Sequence, residues 1–131
     1  MIVVVLPAFN EADALPPLLR RLQAVSVGHF GSALSVIVVD DGSTDGTAEA
    51  ARAGAAGLAV KVVAHEVNRG LNEAMRTGLL AALEQAGEDD IVITMDADDT
   101  HAPGLISRMT MLIEEGNDVV VASRYAPGGR V

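Results

Sequence analysis

Five short apolar runs constrain the fold of this chain more than any other feature of its sequence. They are Ile2–Leu6, Ser35–Val39, Ala59–Ala64, Ile91–Met95 and Val119–Ala122. Each has the length of a β-strand, and its apolar residues are largely continuous, whereas a strand with one face in water alternates apolar and polar residues. Runs of this kind are typical of strands that are buried on both faces, as in a parallel sheet.

Segments with a helical spacing of apolar residues separate these runs. They cover Ala12–Ala24, Thr44–Ala53, Leu71–Gln85 and Pro103–Glu115, with Ser43 or Thr44 as the candidate N-cap of the second. Regular alternation of strand and helix predicts an α/β fold in which right-handed crossovers connect the strands of a mostly parallel sheet. A length of 131 residues suits a single domain spanning residues 1–131.

Composition excludes several kinds of site and partner. The chain has no cysteine, which rules out disulfides, thiolate zinc sites and a cysteine nucleophile. Its net charge of −9 argues against nucleic acid as a partner and agrees better with a bound metal cation. All apolar runs are shorter than the roughly 18 residues of a membrane-spanning helix. The N-terminus lacks the basic leader of a signal peptide, so a cytoplasmic location is expected.

Polar or charged residues follow every predicted strand. In chain order, the stretches are PAFNEAD, DDGSTDGT, HEVNRG, DADDTH and SRY. The carboxyl ends of parallel strands share one edge of the sheet, and α/β domains bind their ligands there. The sequence therefore predicts a ligand site along this edge.

Two acidic stretches carry most of the candidate chemistry on this edge. Asp40 and Asp41 follow the second strand, where aspartate can simply form a turn and cap the next helix. Carboxylates at this position can also accept hydrogen bonds from a nucleobase or a ribose. Asp96 and Asp98 follow the fourth strand, with Asp99 beside them. Such close charges repel one another unless a cation intervenes, so these carboxylates are candidate ligands of Mg²⁺ or Mn²⁺, with a solvated loop as the alternative.

The stretch NRGLNEAMRTGL, residues 68–79, connects the third strand to the third helix. Asn68 can cap this helix, and Gly70 permits the close approach of another backbone. Arg69 is among the basic residues closest to the acidic edge, with a simple surface charge as the alternative. His65 is interpreted as a strand-end residue, because no cysteine or second histidine is spaced to complete a zinc site.

One family of enzymes carries a similar set of motifs in the same order. The chain resembles the family 2 glycosyltransferases, and most of all the dolichol-phosphate and polyprenyl-phosphate mannose and glucose synthases, in PAFNEAD, VVDDGSTDGT, NRGLNEAMRTG, DADDTHAP and VVVASRY. The resemblance implies the GT-A fold, a Rossmann-like three-layer α/β/α sandwich with a mostly parallel sheet. It also implies an inverting transfer of a hexose from a nucleoside-diphosphate sugar, such as a GDP- or UDP-sugar.

The resemblance also implies roles for individual residues. The residues that would bind the nucleotide sugar are Pro7, Asn10, Glu11, Asp40, Asp41, Asn68, Gly70, Asp96 and Ala97. Asp96 and Asp98 would form the Asp-x-Asp site for Mg²⁺ or Mn²⁺ and the diphosphate. Asp98 and Arg124 are the implied catalytic residues, with Arg124 placed to bind an acceptor phosphate. The chain departs from the family at Leu71 and Asn72, where many relatives carry glycine or lysine.

A polyprenyl phosphate is the acceptor that the resemblance implies. It agrees with the lack of an obvious general base, because a phosphate is already anionic and needs no deprotonation. A peripheral position at the cytoplasmic membrane face is then expected, and an open edge at the fifth strand would favour a homodimer. Members of the family extend well past the length of this chain, so it is expected to lack their C-terminal acceptor-binding part. A donor-binding fragment without turnover is the alternative.

Two other classes of protein share parts of this pattern. Receiver-type signalling domains are α/β proteins of similar length with acidic strand ends and Mg²⁺. They resemble one another in a lysine after the fifth strand, whereas the only lysine here is Lys61, in the third. Nucleotidyltransferases usually have a glycine-rich, basic loop after the first strand, and PAFNEADALPP has neither feature. The glycosyltransferase therefore agrees best with the sequence.

Overall fold

The computed structural model of the chain describes residues 1–30, 34–97 and 105–121. Contacts divide the chain into two compact units, residues 1–101 and residues 102–131. The first unit contains β1 (Ile2–Ala8), α1 (Leu15–Val25), β2 (Leu34–Asp41), α2 (Thr47–Ala53), β3 (Ala59–His65), α3 (Leu71–Gln85) and β4 (Ile91–Thr94). The second unit contains α4 (Leu105–Glu114). A π-helical turn, Ser26–Phe30, extends α1.

A parallel sheet with the strand order β3-β2-β1-β4 forms the centre of the first unit. β1 pairs with β2 and with β4, and β2 pairs with β3, all in parallel. Every residue of β1 is buried, as is every residue of β2 except Ser35. Burial on both faces explains why these two strands are continuous apolar runs, and it confirms the predicted α/β fold.

Helices cover both faces of this sheet. α3 packs on β1 and β2, while α2 packs on β2, on β3 and on α1. Right-handed crossovers require this division, because the chain moves from β1 through β2 to β3 in one direction and then returns across the sheet to β4. The predicted three-layer α/β/α arrangement is therefore confirmed.

Small residues let α3 lie close to the sheet. Ala74, Gly78 and Ala82 share the inward face of the helix at a spacing of four residues, and Ala74 and Ala82 are 1% and 0% exposed. A Cβ atom on Gly78 would lie only 2.3 Å from Cγ1 of Val5. The alanine-rich character of this helix thus reflects its tight contact with β1 and β2.

The strand order reverses direction at β1, with β2 on one side and β4 on the other. A reversal of this kind opens a crevice between the carboxyl ends of β1 and β4, and ligands bind there. The order is that of the Rossmann-type sheets and differs from the 2-1-3-4-5 order of receiver domains. The fold therefore argues against the receiver alternative.

A fifth strand, predicted over Val119–Ala122, is absent from the described part of this segment. Residues 119–121 adopt no regular secondary structure, and Val119 and Val121 are 79% and 78% exposed. A strand needs a neighbour to satisfy its backbone hydrogen bonds, and residues 119–121 pair with no strand of the described ranges. The prediction is wrong for these residues, and Ala122 lies outside the described ranges. None of the described helices has both the length and the apolar character needed to cross a membrane.

Candidate functional site

Strand register determines which side chains meet at the carboxyl edge. Asp41, the last residue of β2, pairs with His65, the last residue of β3. Because side chains alternate along a strand, both lie on the same face as Val39, which is the face that α3 covers. Asp40 lies on the opposite face, where its Oδ1 accepts a hydrogen bond from the Ser43 amide at 3.0 Å. The two neighbouring aspartates therefore belong to different halves of the edge.

The buried carboxylate of Asp41 organises the loop between β3 and α3. Its Oδ1 accepts hydrogen bonds from His65 Nδ1 at 2.8 Å and from the Arg69 amide at 2.9 Å. Its Oδ2 accepts one from the Gly70 amide at 3.0 Å. Burial acts to raise the pKa of Asp41, but the hydrogen bonds from His65 and the two amides outweigh it and hold the pKa below its usual value. Asp41 is therefore an anion at neutral pH.

His65 connects Asp41 to helix α3. Its side chain is only 7% exposed, and its Nε2 lies 2.8 Å from Oγ1 of Thr77. Because the Asp41 carboxylate is an acceptor, Nδ1 carries a proton, and in the neutral ring Nε2 accepts from the Thr77 hydroxyl. From the sequence, His65 is predicted only as a strand-end residue. The available signal for its contact with α3 was Thr77, a polar residue on the side of the helix that faces the sheet. The sequence does not reveal which strand Thr77 faces.

Gly42 allows the loop after β2 to touch the loop after β3. It has a φ of +74°, and a Cβ atom there would lie 2.3 Å from the backbone nitrogen of Asn68 and 2.4 Å from the carbonyl carbon of Val67. Both the backbone conformation and the close approach require glycine. The position of Asn68 thus depends on a residue far away in the sequence.

A cleft of about 230 Å³ opens beside Asp41. The lining residues are Pro7, Ala8, Phe9, Asp41, Asn68, Gly70, Leu71 and Ala74. The structure thus brings together four residues that the sequence predicts to bind a nucleotide sugar: Pro7, Asp41, Asn68 and Gly70. The apolar walls of the cleft come from Phe9, Leu71 and Ala74, and the sequence motifs do not predict them.

The loop after β1 is locked to the loop between β2 and α2. The Asn10 amide donates to Ser43 Oγ at 2.8 Å, and Asn10 Oδ1 accepts from the Thr44 amide at 2.9 Å. Asn10 has a φ of 53°, in the left-handed region that asparagine tolerates better than most residues. The Glu11 amide donates to Thr47 Oγ1 at 3.0 Å. Asn10 and Glu11 thus lie at the carboxyl edge, outside the residues that line the cleft.

Helix α2 begins later than predicted, and α3 begins at the predicted Leu71 but without the predicted Asn68 cap. The residue before α2 is Gly46, with a φ of 87°, rather than Ser43 or Thr44. Ser43 Oγ and the Thr44 amide are instead engaged with the loop after β1. α3 follows Gly70 rather than a capping Asn68. In both cases a glycine stands immediately before the first helical residue. A residue with a capping side chain was predicted for this role.

Asp96 lies two residues after the end of β4, on the other side of the strand-order reversal. β4 pairs with β1 as far as Thr94 opposite Val5, and the Met95 amide donates to the Val5 carbonyl at 3.1 Å. Asp96 therefore comes level with the end of β1, and it is half-buried, while Ala97 is 2% exposed. The two predicted catalytic residues, Asp98 and Arg124, lie outside the described residues.

Asp96 offers an oxygen ligand of the kind that Mg²⁺ and Mn²⁺ prefer. In the described ranges, no three acidic or histidine side chains lie close enough to hold a metal ion by themselves. Mg²⁺ is commonly held by one or two carboxylates together with the phosphates of a substrate. One carboxylate beside an open crevice fits this mode, with Asp98, outside the described residues, as the second predicted ligand.

Comparison with known proteins identifies the family. The model of Glycosyl transferase family 2 matches residues 3–131. The chain therefore belongs to glycosyltransferase family 2, as its motifs predict.

Curated relatives are named as lipid-phosphate sugar transferases. An undecaprenyl-phosphate 4-deoxy-4-formamido-L-arabinose transferase of Pseudomonas aeruginosa is 40% identical over 124 residues, which cover 95% of this chain and 35% of the relative. A dolichol-phosphate mannosyltransferase of Pyrococcus furiosus is 33% identical over 128 residues, which cover 98% of this chain and 34% of the relative. The chain thus spans about a third of the length of these relatives.

The fold is also found in a solved glycosyltransferase. A mannosyltransferase of Pyrobaculum calidifontis, in complex with GDP-Man and Mn²⁺, superposes with a TM-score of 0.73 at 27% identity. The match covers 95% of this chain and 36% of that protein. This likeness confirms the predicted GT-A fold.

Proposed function

We propose that this chain binds the donor in an inverting, metal-dependent transfer of a hexose from a GDP- or UDP-sugar to a polyprenyl phosphate. The cleft beside Asp41 carries the proposal, because the end of β1 lines it and β1 pairs with β4, the strand that leads to Asp96. The names of the relatives support the choice of substrates, since two refer to lipid phosphates and one structure contains GDP-Man and Mn²⁺.

The cleft suits the nucleoside half of the donor. Phe9, Leu71 and Ala74 provide apolar surface for a base and a ribose. Asp41 Oδ2 accepts one hydrogen bond from the Gly70 amide, and a carboxylate oxygen can accept a second. We assign that second position to a base N–H or a ribose hydroxyl. The nucleoside pocket would then be supported from the opposite half of the edge by Asp40, Asn10 and Glu11.

The start of α3 suits the diphosphate. Gly70 and Leu71, at the beginning of this helix, line the cleft together with Asn68. Backbone N–H groups in the first turn of a helix have no acceptor within the helix, and the helix dipole favours an anion there. The sugar diphosphate would extend from this turn towards Asp96 and Ala97 at the end of β4.

Asp96 and Asp98 are the proposed ligands of Mg²⁺ or Mn²⁺. When bound, the cation would neutralise charge that develops on the diphosphate as it leaves. Arg124 is proposed to orient the acceptor phosphate, whose anionic oxygen attacks the anomeric carbon from the side opposite the diphosphate. No protein base is required for this attack, because the phosphate is already deprotonated. Transfer would take place at the cytoplasmic face of a membrane.

Calorimetric titration with GDP, UDP and their hexose conjugates in the presence of Mn²⁺ tests this proposal. At least one of these ligands is expected to bind. Asp96→Asn is expected to weaken binding about tenfold or more, since a hydrogen bond or contact to a charged group contributes about 1.5–3 kcal/mol. Asp89→Asn is the matched control, because Asp89 is exposed and lies at the opposite end of β4. The proposal fails if no nucleotide binds, or if the two variants bind equally well.

A further inference from the structure

A buried histidine behind the cleft and a half-buried threonine beside it have no part in the function proposed so far. His65 and Thr77 form a bridge from the Asp41 carboxylate to α3, with contacts of 2.8 Å at both ring nitrogens. His65 is not among the cleft-lining residues, and its side chain is 7% exposed. A donor in the cleft would therefore meet Asp41 but not the histidine behind it.

We propose that His65 is a positioning residue for donor binding, which fixes the Asp41 carboxylate so that Oδ2 presents its second acceptor site to the cleft. The inference rests on the proposed function, because it assigns that acceptor site to the nucleoside. It adds a residue that does not line the cleft and that acts on the donor through the orientation of Asp41.

Hydrogen-bond geometry supports this role. The terminal torsion of an aspartate is broad, so a carboxylate keeps one orientation only where its partners hold it. Asp41 has three partners among the described residues, and two of them are the amides of Arg69 and Gly70, which belong to the loop that the carboxylate itself holds in place. His65 is the partner that comes from the sheet, as the register neighbour of Asp41. Within the described ranges, it is thus the contact that ties the carboxylate to the frame of the sheet rather than to the loop.

Thr77 connects His65 to helix α3. It lies on α3, seven residues after Gly70, and its hydroxyl fixes the ring of His65 from the side opposite Asp41. The same helix begins with the residues that line the cleft. One bridge therefore couples the orientation of the carboxylate to the position of the helix start.

Two substitutions of His65 distinguish the role of the hydrogen bond at Nδ1 from that of the hydrogen bond at Nε2. In His65→Asn, the amide group replaces the Nδ1 side of the ring and can still donate to Asp41. In His65→Gln, the amide group reaches towards Thr77 and leaves Asp41 Oδ1 without that donor. Both variants remove the ring, so both are expected to reduce the stability of the fold to a similar extent.

Nucleotide affinity distinguishes a positioning role from a purely structural one. His65→Asn is expected to bind the preferred nucleotide with an affinity within about threefold of the unmodified chain. His65→Gln is expected to bind about tenfold more weakly, because a carboxylate that is no longer held in place loses its own hydrogen bond to the nucleoside, which is a hydrogen bond to a charged group. Urea unfolding measures the stability of each variant alongside. Equal affinities in the two variants would overturn the inference, whether both match the unmodified chain or both are weak.

The ring tautomer gives a second test that needs no variant. Two-bond ¹H–¹⁵N spectra of the unmodified chain are expected to show a proton on Nδ1 of His65, and a neutral ring protonated only on Nε2 would overturn the inference. Absence of nucleotide binding by the unmodified chain would instead refute the proposed function, and the inference with it. The two failures are therefore distinguishable.

Discussion

Replacement of Gly42 by alanine is expected to lower the free energy of unfolding by about 2–5 kcal/mol. About 1–2 kcal/mol comes from placing a side chain in the left-handed region and about 1–3 kcal/mol from overpacking. The overpacking is severe because the nearest atom is the backbone nitrogen of Asn68, at 2.3 Å from the added Cβ, and a backbone cannot move aside as a side chain can. The loop that borders the cleft must therefore shift, so nucleotide binding is expected to weaken as well.

Gly46→Ala is the matched control for this prediction. Gly46 has a φ of +87°, but the nearest atom to an added Cβ is Glu49 Oε2 at 3.8 Å. It shares the backbone strain without the clash, so a loss of only about 1–2 kcal/mol is expected. Urea denaturation followed by circular dichroism suits a chain without tryptophan. Equal losses in the two variants would show that the two loops do not touch at Gly42.

Asp41→Asn is expected to destabilise the fold by about 2–4 kcal/mol, because buried hydrogen bonds to a charged group are lost or replaced. An asparagine oxygen can accept from the donors that now meet Oδ1, but its amino group then faces the Gly70 amide, donor against donor. Flipping the side chain moves the conflict to the Arg69 amide. Neither orientation of the side chain can accept hydrogen bonds from both the Arg69 and the Gly70 amides. The cleft also loses its anionic acceptor.

Asp40→Asn provides the comparison at the neighbouring position. The asparagine oxygen can accept the hydrogen bond from the Ser43 amide as aspartate does. The free energy of unfolding is therefore expected to fall by about 1 kcal/mol or less. If this variant were as destabilised as Asp41→Asn, the assignment of the loop contacts to Asp41 would be wrong.

The acid dependence of stability follows from the same carboxylate. The pKa of Asp41 is lower in the folded chain than its usual value of 3.8, so the unfolded chain binds protons first as the pH falls. The contribution of Asp41 is thus complete above about pH 4 and is lost as the pH falls through the lower folded pKa. Asp41→Asn is expected to unfold with a shallower dependence on pH below 4. Some dependence remains, because hydrogen bonding from Thr47 also lowers the pKa of Asp45.

The strands and helices of the first unit could be predicted because their signals are local. Continuous apolar runs marked β1 and β2, since both are buried on two faces. α3 has the predicted limits, Leu71–Gln85, because a glycine precedes its first residue and its apolar spacing continues to the end. The segment 119–121 carries the same kind of run, but a run does not reveal whether a neighbouring strand is available to pair with it.

The candidate site could be predicted only as a set of residues on one edge. Alternation along β2 sends Asp40 and Asp41 to opposite faces, but which of the two faces α3 covers depends on how the helix packs on the sheet. The bridge through His65 joins side chains that are 24 and 12 residues apart in the sequence. Contacts between residues so far apart in the sequence depend on the tertiary fold, so the spacing of motifs does not reveal them.

Amide chemical shifts on addition of nucleotide test the central claim most directly. With Mg²⁺ and GDP or UDP, the amide signals of Phe9, Asn68, Gly70 and Ala97 are expected to shift, and substitution of Mn²⁺ is expected to broaden them. Signals of Ile2, Leu34 and Ala59 should remain unchanged, because they lie at the other edge of a sheet whose β1 strand is 7 residues long. Changes at that other edge, or no change at the carboxyl edge, would contradict a nucleotide-sugar site beside Asp41.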